Sequence, residues 1–234
     1  MVYPRKEAHK FPEYLQKRKH MKEYTHLVWD FNGTILNDVE EDLLCANELL
    51  ANHGLPTLRD VAAYREVFGF PIIEYYRRLG FDFEKTPYEE LAVEWVEIYH
   101  RHGAHAGLYP QVRPTLERVA RLGLPQIILS ATHLDMLEGQ VEALGIRSYF
   151  SELLGLDNIH AHSKTALAVA WRERNPQAIP LFVGDTEHDF DTAQAMGADC
   201  VLVAGGHRPR TALERTGAVA VIDSVDEIFS ILLN

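Results

Sequence analysis

Short apolar runs recur along this chain at residues 26–31, 126–130, 180–184, 200–204 and 218–222, ending in small or acidic residues. Each is too short for a helix and rich in Val, Ile or Leu, the composition of strands buried on both faces. Between several of them lie amphipathic stretches with helical spacing, at 114–122, 134–144, 165–174 and 190–196. This alternation predicts an α/β fold: a Rossmann-like parallel sheet core with helices on both faces. With 234 residues, 47% of them apolar and 24% charged, the chain has room for one globular domain and a smaller insertion.

One interval breaks the alternation. Within 42–53, Leu43, Leu44, Ala46, Leu49 and Leu50 recur at helical spacing, and further helical stretches follow at 60–67, 72–79 and 89–100. Gly54-Leu55-Pro56, Gly69-Phe70-Pro71 and Gly80 separate them. A structureless loop of this length does not belong in a compact domain. An inserted all-helical cap is therefore expected directly after the first strand, above the strand ends where open α/β sheets bind ligands. The expected division is a basic extension over 1–24, a catalytic core from 25–37 and 108–234, and a helical cap over 38–107.

Charge narrows the partners. The chain carries −11 in all, but residues 1–25 carry +4, which leaves −15 on the remainder. An acidic body argues against nucleic acid as a partner. No apolar run approaches the ~20 residues that span a bilayer, and the N-terminus lacks the apolar stretch of a secretory signal. Cys45 and Cys200 stand in no metal spacing and read as buried thiols in a reducing compartment. A cytoplasmic protein without a membrane partner is the expectation.

Four separated stretches carry chemistry. The first apolar run delivers Asp30 at its tip in Trp29-Asp30-Phe31-Asn32-Gly33-Thr34. A later one releases Asp185 and Asp189 in Gly184-Asp185-Thr186-Glu187-His188-Asp189. Carboxylates gathered from different strand tips repel one another and so imply a cation, and an all-oxygen ligand set favours magnesium. Between them, Ser130 ends a strand and Lys164 begins a helix. A hydroxyl and helix N-terminal amides can cradle a phosphate, and a lysine offsets its charge. Taken singly, each residue is more often a turn, a cap or a loop position.

Together and in this order, the four resemble the motifs of the haloacid dehalogenase superfamily: an Asp-x-Asp-Gly-Thr strand end, a Ser/Thr strand end, a Lys, and a Gly-Asp-x-x-x-Asp. The resemblance covers about residues 25–230. The helical insertion, with Phe68-Gly69-Phe70-Pro71 and Leu108-Tyr109-Pro110, is similar to the subgroup containing phosphoglycolate phosphatases and β-phosphoglucomutases. The resemblance implies a phosphatase that uses Mg2+ and acts on a small phosphorylated metabolite, a phosphoglycolate-like one among the options. It also implies an aspartyl-phosphate on Asp30. The metal would be held by Asp30, the backbone carbonyl of Asn32 and Asp185, with Asp189 in support, while Ser130, Ala131 and Lys164 would bind the phosphoryl group. A carboxylate suits the nucleophile because it is already ionised at neutral pH, provided a cation offsets its repulsion from phosphate.

One departure matters. The family's second motif carboxylate, its usual acid/base, is Asn32 here. An amide hydrogen-bonds but does not exchange a proton in this way, and general acid–base catalysis contributes typically ~10²–10⁴-fold. Three readings stay open: a phosphatase that favours good leaving groups or borrows an acid such as His133; a long-lived phospho-Asp30; or a protein that binds a phosphate ligand without turnover. Asn32→Asp is expected to raise the rate on an alkyl phosphate. The histidines at 100, 102, 105, 160 and 162, the pair Arg77 and Arg78, and Gly205-Gly206-His207-Arg208 read as solvated or turn residues.

Overall fold

The computed structural model describes residues 24–102, 105–156 and 163–233, so residues 1–23 of the basic extension, His160 and His162 lie outside the described residues. The chain enters as β1 (His26–Trp29) and turns through β2 (Leu36–Asn37). Four helices follow: α1 (Val39–Asn52), α2 (Val61–Val67), α3 (Ile72–Leu79) and α4 (Tyr88–His102). It returns through β3 (Gly107–Leu108), α5 (Val112–Arg121), β4 (Gln126–His133), α6 (Leu134–Ala143) and β5 (Glu152–Leu156). The last stretch is α7 (Lys164–Arg174), β6 (Pro180–Gly184), α8 (Glu187–Ala195), β7 (Asp199–Val203), α9 (Arg210–Leu213), β8 (Ala220–Ile222) and α10 (Phe229–Leu232).

The α/β architecture is as expected. Six parallel strands lie in the order β5-β4-β1-β6-β7-β8. Successive strand residues point to opposite faces, and the core follows that rule. Leu27, Trp29, Ile128, Leu181, Val183 and Val201 pack with α5, α6 and α10 on one side. Val28, Ile127, Leu129, Phe182, Cys200 and Leu202 pack with α7, α8 and α9 on the other. Each fully buried aliphatic or Phe side chain contributes about 1.5–3 kcal/mol relative to exposure, which is why these runs read as continuously apolar.

The helices of residues 39–102 share a separate apolar cluster around Cys45, Leu49, Tyr64, Tyr75, Leu91 and Ile98. At its root, Leu36 pairs with Leu108 and Asn37 with Gly107 in a short antiparallel ribbon. Both cysteines are free and buried. Among the described residues no helix is long and apolar enough to cross a membrane.

Two expectations need correction. The strand expected to end at Ser130 continues to His133, with an irregularity in its pairing to β5 between Leu129 and His133. The stretch 190–196 is a helix that starts earlier, at Glu187, where Thr186 caps it.

Candidate active site

Parallel pairing aligns the first two carboxylates. Trp29 lies opposite Val183, and the Asp30 amide donates to the Val183 carbonyl at 2.8 Å. Asp30 and Asp185 therefore leave the sheet at the same edge. Gly33 makes the following turn at a φ of 72°, where a Cβ would lie 2.4 Å from Asp185 Oδ2. Neither the conformation nor the space admits a side chain. Thr34 donates to Asp185 Oδ1 at 3.0 Å.

Asp189 joins them through a helix cap. The Thr186 hydroxyl accepts from the Asp189 amide, while Asp189 Oδ2 accepts from the Thr186 amide (2.9 Å), the Thr186 hydroxyl (2.7 Å) and the Asp185 amide (3.1 Å). This reciprocal capping box satisfies orphan helix donors and orients the carboxylate. Lys164 opens α7 behind Ser163, which caps the helix from a left-handed φ of 63° and accepts from Ala166 at 3.0 Å. A non-glycine residue in that region costs of order 1–3 kcal/mol and marks a position imposed by its surroundings. From there the Lys164 ammonium bridges Asp30 and Asp189.

The three carboxylates bring ligand oxygens within 4.8 Å of one another, all buried. Burial, and repulsion by Asp189 and Asp185 against the pull of Lys164, hold Asp30 well above the ordinary carboxylate range. Asp185 is pushed up to about 6, mainly by burial. Burial would also raise Asp189, but the Lys164 charge and the Lys164 and Thr186 hydrogen bonds outweigh it and hold this carboxyl low. Burial would lower Lys164; Asp189 and Asp30 overcome that and keep it protonated. One ammonium facing three carboxylates leaves negative charge in a site shielded from water. The set of hard oxygens fits a divalent cation, and Asp189, with its oxygens already engaged, fits a supporting role.

A second cluster, which the sequence did not single out, lies beside the first. The loop after β7, read above as a plain turn, brings the His207 amide 2.6 Å from Asp185 Oδ2. A Cβ on Gly206 would lie 2.2 Å from that same oxygen, so the loop grips Asp185 because residue 206 has no side chain. The His207 ring sits 3.4 Å from Asp38 Oδ1 through Nε2, an ion pair without hydrogen-bond alignment, and 2.9 Å from the Tyr64 hydroxyl through Nδ1. Burial opposes its protonation, but Asp38 above all raises it to about 10. Asp42, 3.8 Å away, is pushed up to about 8 by burial and by Asp38. Gly205-Gly206-His207 was the visible trace of this arrangement, and Asp38 and Asp42, one helical turn apart, follow the first motif.

Asn32 connects the two clusters. Its amide nitrogen donates to Asp38 Oδ2 at 2.6 Å, and its carbonyl oxygen accepts from Thr132 Oγ1 at 2.7 Å. Thr132 in turn accepts from Ser130 Oγ at 3.0 Å. The Gly33 amide holds the other Asp38 oxygen at 2.8 Å.

Asp30, Asn32, Ser130, Ala131, Lys164, Asp185 and Asp189 all border one cavity of about 650 Å³, and His133 and His100 stand on its wall. The residues of the four stretches thus come together. Arg77 instead pairs with Glu74, Arg78 holds the Val67 carbonyl at 2.7 Å, and His102 pairs with Glu48.

Residues 27–203 match the sequence profile described as haloacid dehalogenase-like hydrolase. The phosphoglycolate phosphatase of Chromobacterium violaceum is 26% identical over 226 residues, covering 92% of this chain and 98% of that protein. A haloacid dehalogenase-like family hydrolase from Streptococcus pneumoniae superposes with a TM-score of 0.76 at 18% identity, over 88% of this chain and 97% of that one. Protein tyrosine kinase A of Mycobacterium tuberculosis superposes at 0.75 with 22% identity, over 90% and 99%.

Proposed function

Because the chain belongs to the haloacid dehalogenase-like hydrolase family, we propose that it is a Mg2+-dependent phosphatase that transfers the phosphoryl group of a small phosphomonoester through Asp30. The observation that carries this reading is the buried meeting of Asp30, Asp185 and Asp189 with Lys164 at the strand ends. The relatives named phosphoglycolate phosphatase make phosphoglycolate the first substrate to test. In this reading residues 25–37 and 108–234 form the catalytic core, residues 38–107 cap it, and the basic extension precedes both.

The side chains of Asp30 and Asp185 and the carbonyl of Asn32 would hold the cation, with Asp189 orienting its neighbours. When bound, Mg2+ supplies charge neutralisation and polarisation of the phosphoryl oxygens. Asp30 is the nucleophile: its carboxylate oxygen bonds to phosphorus as the ester oxygen departs, and water later hydrolyses the aspartyl-phosphate. Ser130 and the amide of Ala131 orient the phosphoryl group. Lys164 offsets the charge that accumulates as two anions approach, which is where electrostatic stabilisation acts in this class of reaction.

The test is phosphate release from p-nitrophenyl phosphate and 2-phosphoglycolate, with Mg2+ and with a chelator, by wild type and Asp30→Asn. We expect metal-dependent turnover by the wild type and a loss of at least ~10³-fold in the variant, as for other removed nucleophiles. A wild type that binds phosphate in Mg2+ yet hydrolyses neither ester would overturn the phosphatase reading and leave a ligand-binding protein.

A further inference from the structure

We propose that the substrate is an aryl phosphomonoester, the phosphate ester of a phenolic hydroxyl carried on an apolar, ring-bearing group. The proposal rests on the phosphatase reading above and names the class of ester that this site takes.

The first observation is the wall of the cavity. Beyond the catalytic residues it is built from Phe70, Ile72, Tyr75, Trp95, Tyr99 and Met136. A space of about 650 Å³ falls in the range of sites that enclose an organic ligand of several rings. Aromatic walls recognise such a ligand by burying its apolar area and by stacking or edge contacts.

The second observation is charge. Phosphoglycolate carries a carboxylate besides its phosphate, and a buried anion needs a paired cation. Among the described residues lining this cavity there is no arginine, and the one lysine, Lys164, already bridges Asp30 and Asp189. Arg78 and Arg208 border an adjoining cavity, and both are engaged. Arg78 holds the carbonyls of Val67 and Gly69, while Arg208 holds Glu187 and the carbonyls of Arg65 and Phe68. His207 faces Asp38 and Asp42, which leaves the imidazoles of His100 and His133 as the remaining basic groups on the wall. Asp135 lines it too and would oppose a second anion. The Tyr75 hydroxyl is buried without a hydrogen-bond partner, a polar point among the wall's aromatic rings that suits a neutral ring substituent.

The third observation is independent of the first two. Asn32 cannot protonate a leaving oxygen, and its amide is held by Asp38 and Thr132. Asp38 does not replace it, being fully buried and gripped by Gly33, Asn32 and His207. With no proton from position 32 or from Asp38, an ester is cleaved fastest when its oxygen departs without one. A benzyl ester cleaved as fast as the phenyl ester would instead mark His133 or His100, on the same wall, as the acid. A phenolic oxygen, with a pKa near that of tyrosine at about 10, does so far more readily than an alkoxide. In the step proposed, an Asp30 carboxylate oxygen forms a bond to phosphorus while the aryl O–P bond breaks. The electron pair stays on the phenolate, which takes its proton from solvent. Water then attacks phosphorus, the Asp30 oxygen leaves as carboxylate, and the water proton goes to solvent with release of orthophosphate.

The experiment compares kcat/KM of the full-length enzyme in Mg2+ for phenyl phosphate, benzyl phosphate and 2-phosphoglycolate. Phenyl and benzyl esters share the ring and differ in the leaving oxygen; benzyl phosphate and phosphoglycolate share an alkyl leaving oxygen and differ in the body. We expect phenyl to exceed benzyl by at least ~10²-fold, the lower bound for a missing general acid, and benzyl to exceed phosphoglycolate at least tenfold. Phosphoglycolate equal to or above benzyl phosphate, or benzyl equal to phenyl, would overturn the proposal while leaving the phosphatase reading standing. Hydrolysis of none of the three would instead sink the phosphatase reading, and this proposal with it.

Discussion

Asn32 is held at both ends of its amide, and this changes what a substitution there does. The sequence alone led to the expectation that Asn32→Asp would restore an acid. In the structure the amide nitrogen lies 2.6 Å from Asp38 Oδ2, so a carboxylate at 32 would meet a carboxylate at hydrogen-bond distance. Like charges that close cannot both ionise, and the pair would share a proton or separate. Asn32→Asp alone is therefore expected to give little gain on an alkyl phosphate. The double variant Asn32→Asp with Asp38→Asn keeps one amide and one carboxylate and is expected to gain roughly 10²-fold or more, the range of general acid catalysis. Steady-state rates on benzyl phosphate for the four-member cycle check this, and an equal gain in the single variant would show that Asp38 exerts no such control. The identity of residue 32 was legible in the sequence. Its partner was not, because a contact between side chains depends on how α1 meets the first turn.

At the scale of elements, periodicity located most of the fold. Four of the five apolar runs became strands buried on both faces, the run 218–222 became the partly buried edge strand β8, and Gly80 ended α3 in the left-handed conformation that C-caps favour. β5 escaped notice because Glu152 and Gly155 leave only Leu153-Leu154 as an apolar run at that edge of the sheet. The loop after β7 was legible as two glycines but not as a grip, since its contact with Asp185 is made by a backbone amide, which no residue type announces. Gly206→Ala puts this loop to the test. Its new Cβ would fall 2.2–2.5 Å from Asp185 side-chain atoms, so the loop must move. Overpacking of this kind costs typically about 1–3 kcal/mol. A lower melting temperature and at least a tenfold weaker Mg2+ dependence of kcat/KM are expected. An unchanged metal titration would argue that the loop does not position Asp185.

Over the whole molecule, buried charge at the strand ends makes stability depend on pH and, in the reading proposed above, on the cation as well. Asp185 is raised from its ordinary value near 3.8 to about 6. The folded state therefore binds more protons than the unfolded one across that interval, and the metal-free protein loses stability as pH rises through it. In the reading proposed above Mg2+ binds the ionised carboxylates, so its stabilising effect should be small at pH 5 and large at pH 8. At a hundred times its Kd a ligand adds about 2.7 kcal/mol, which for a domain of this size is a rise of roughly 5–10 °C. Thermal melts at both pH values with and without Mg2+ measure it, and an equal shift at the two would contradict cation binding at these carboxylates. The paired strands β2 and β3 have a consequence of another kind. Since Leu36 and Leu108 sit side by side, the helical segment departs from and rejoins the sheet through neighbouring doorposts. On the reading proposed above, a different segment that keeps these two footings and the contacts of Asp38, Asp42 and Tyr64 with Asn32 and His207 could be grafted in its place, so the choice of alcohol can diverge among descendants while the machinery that grasps phosphorus is kept.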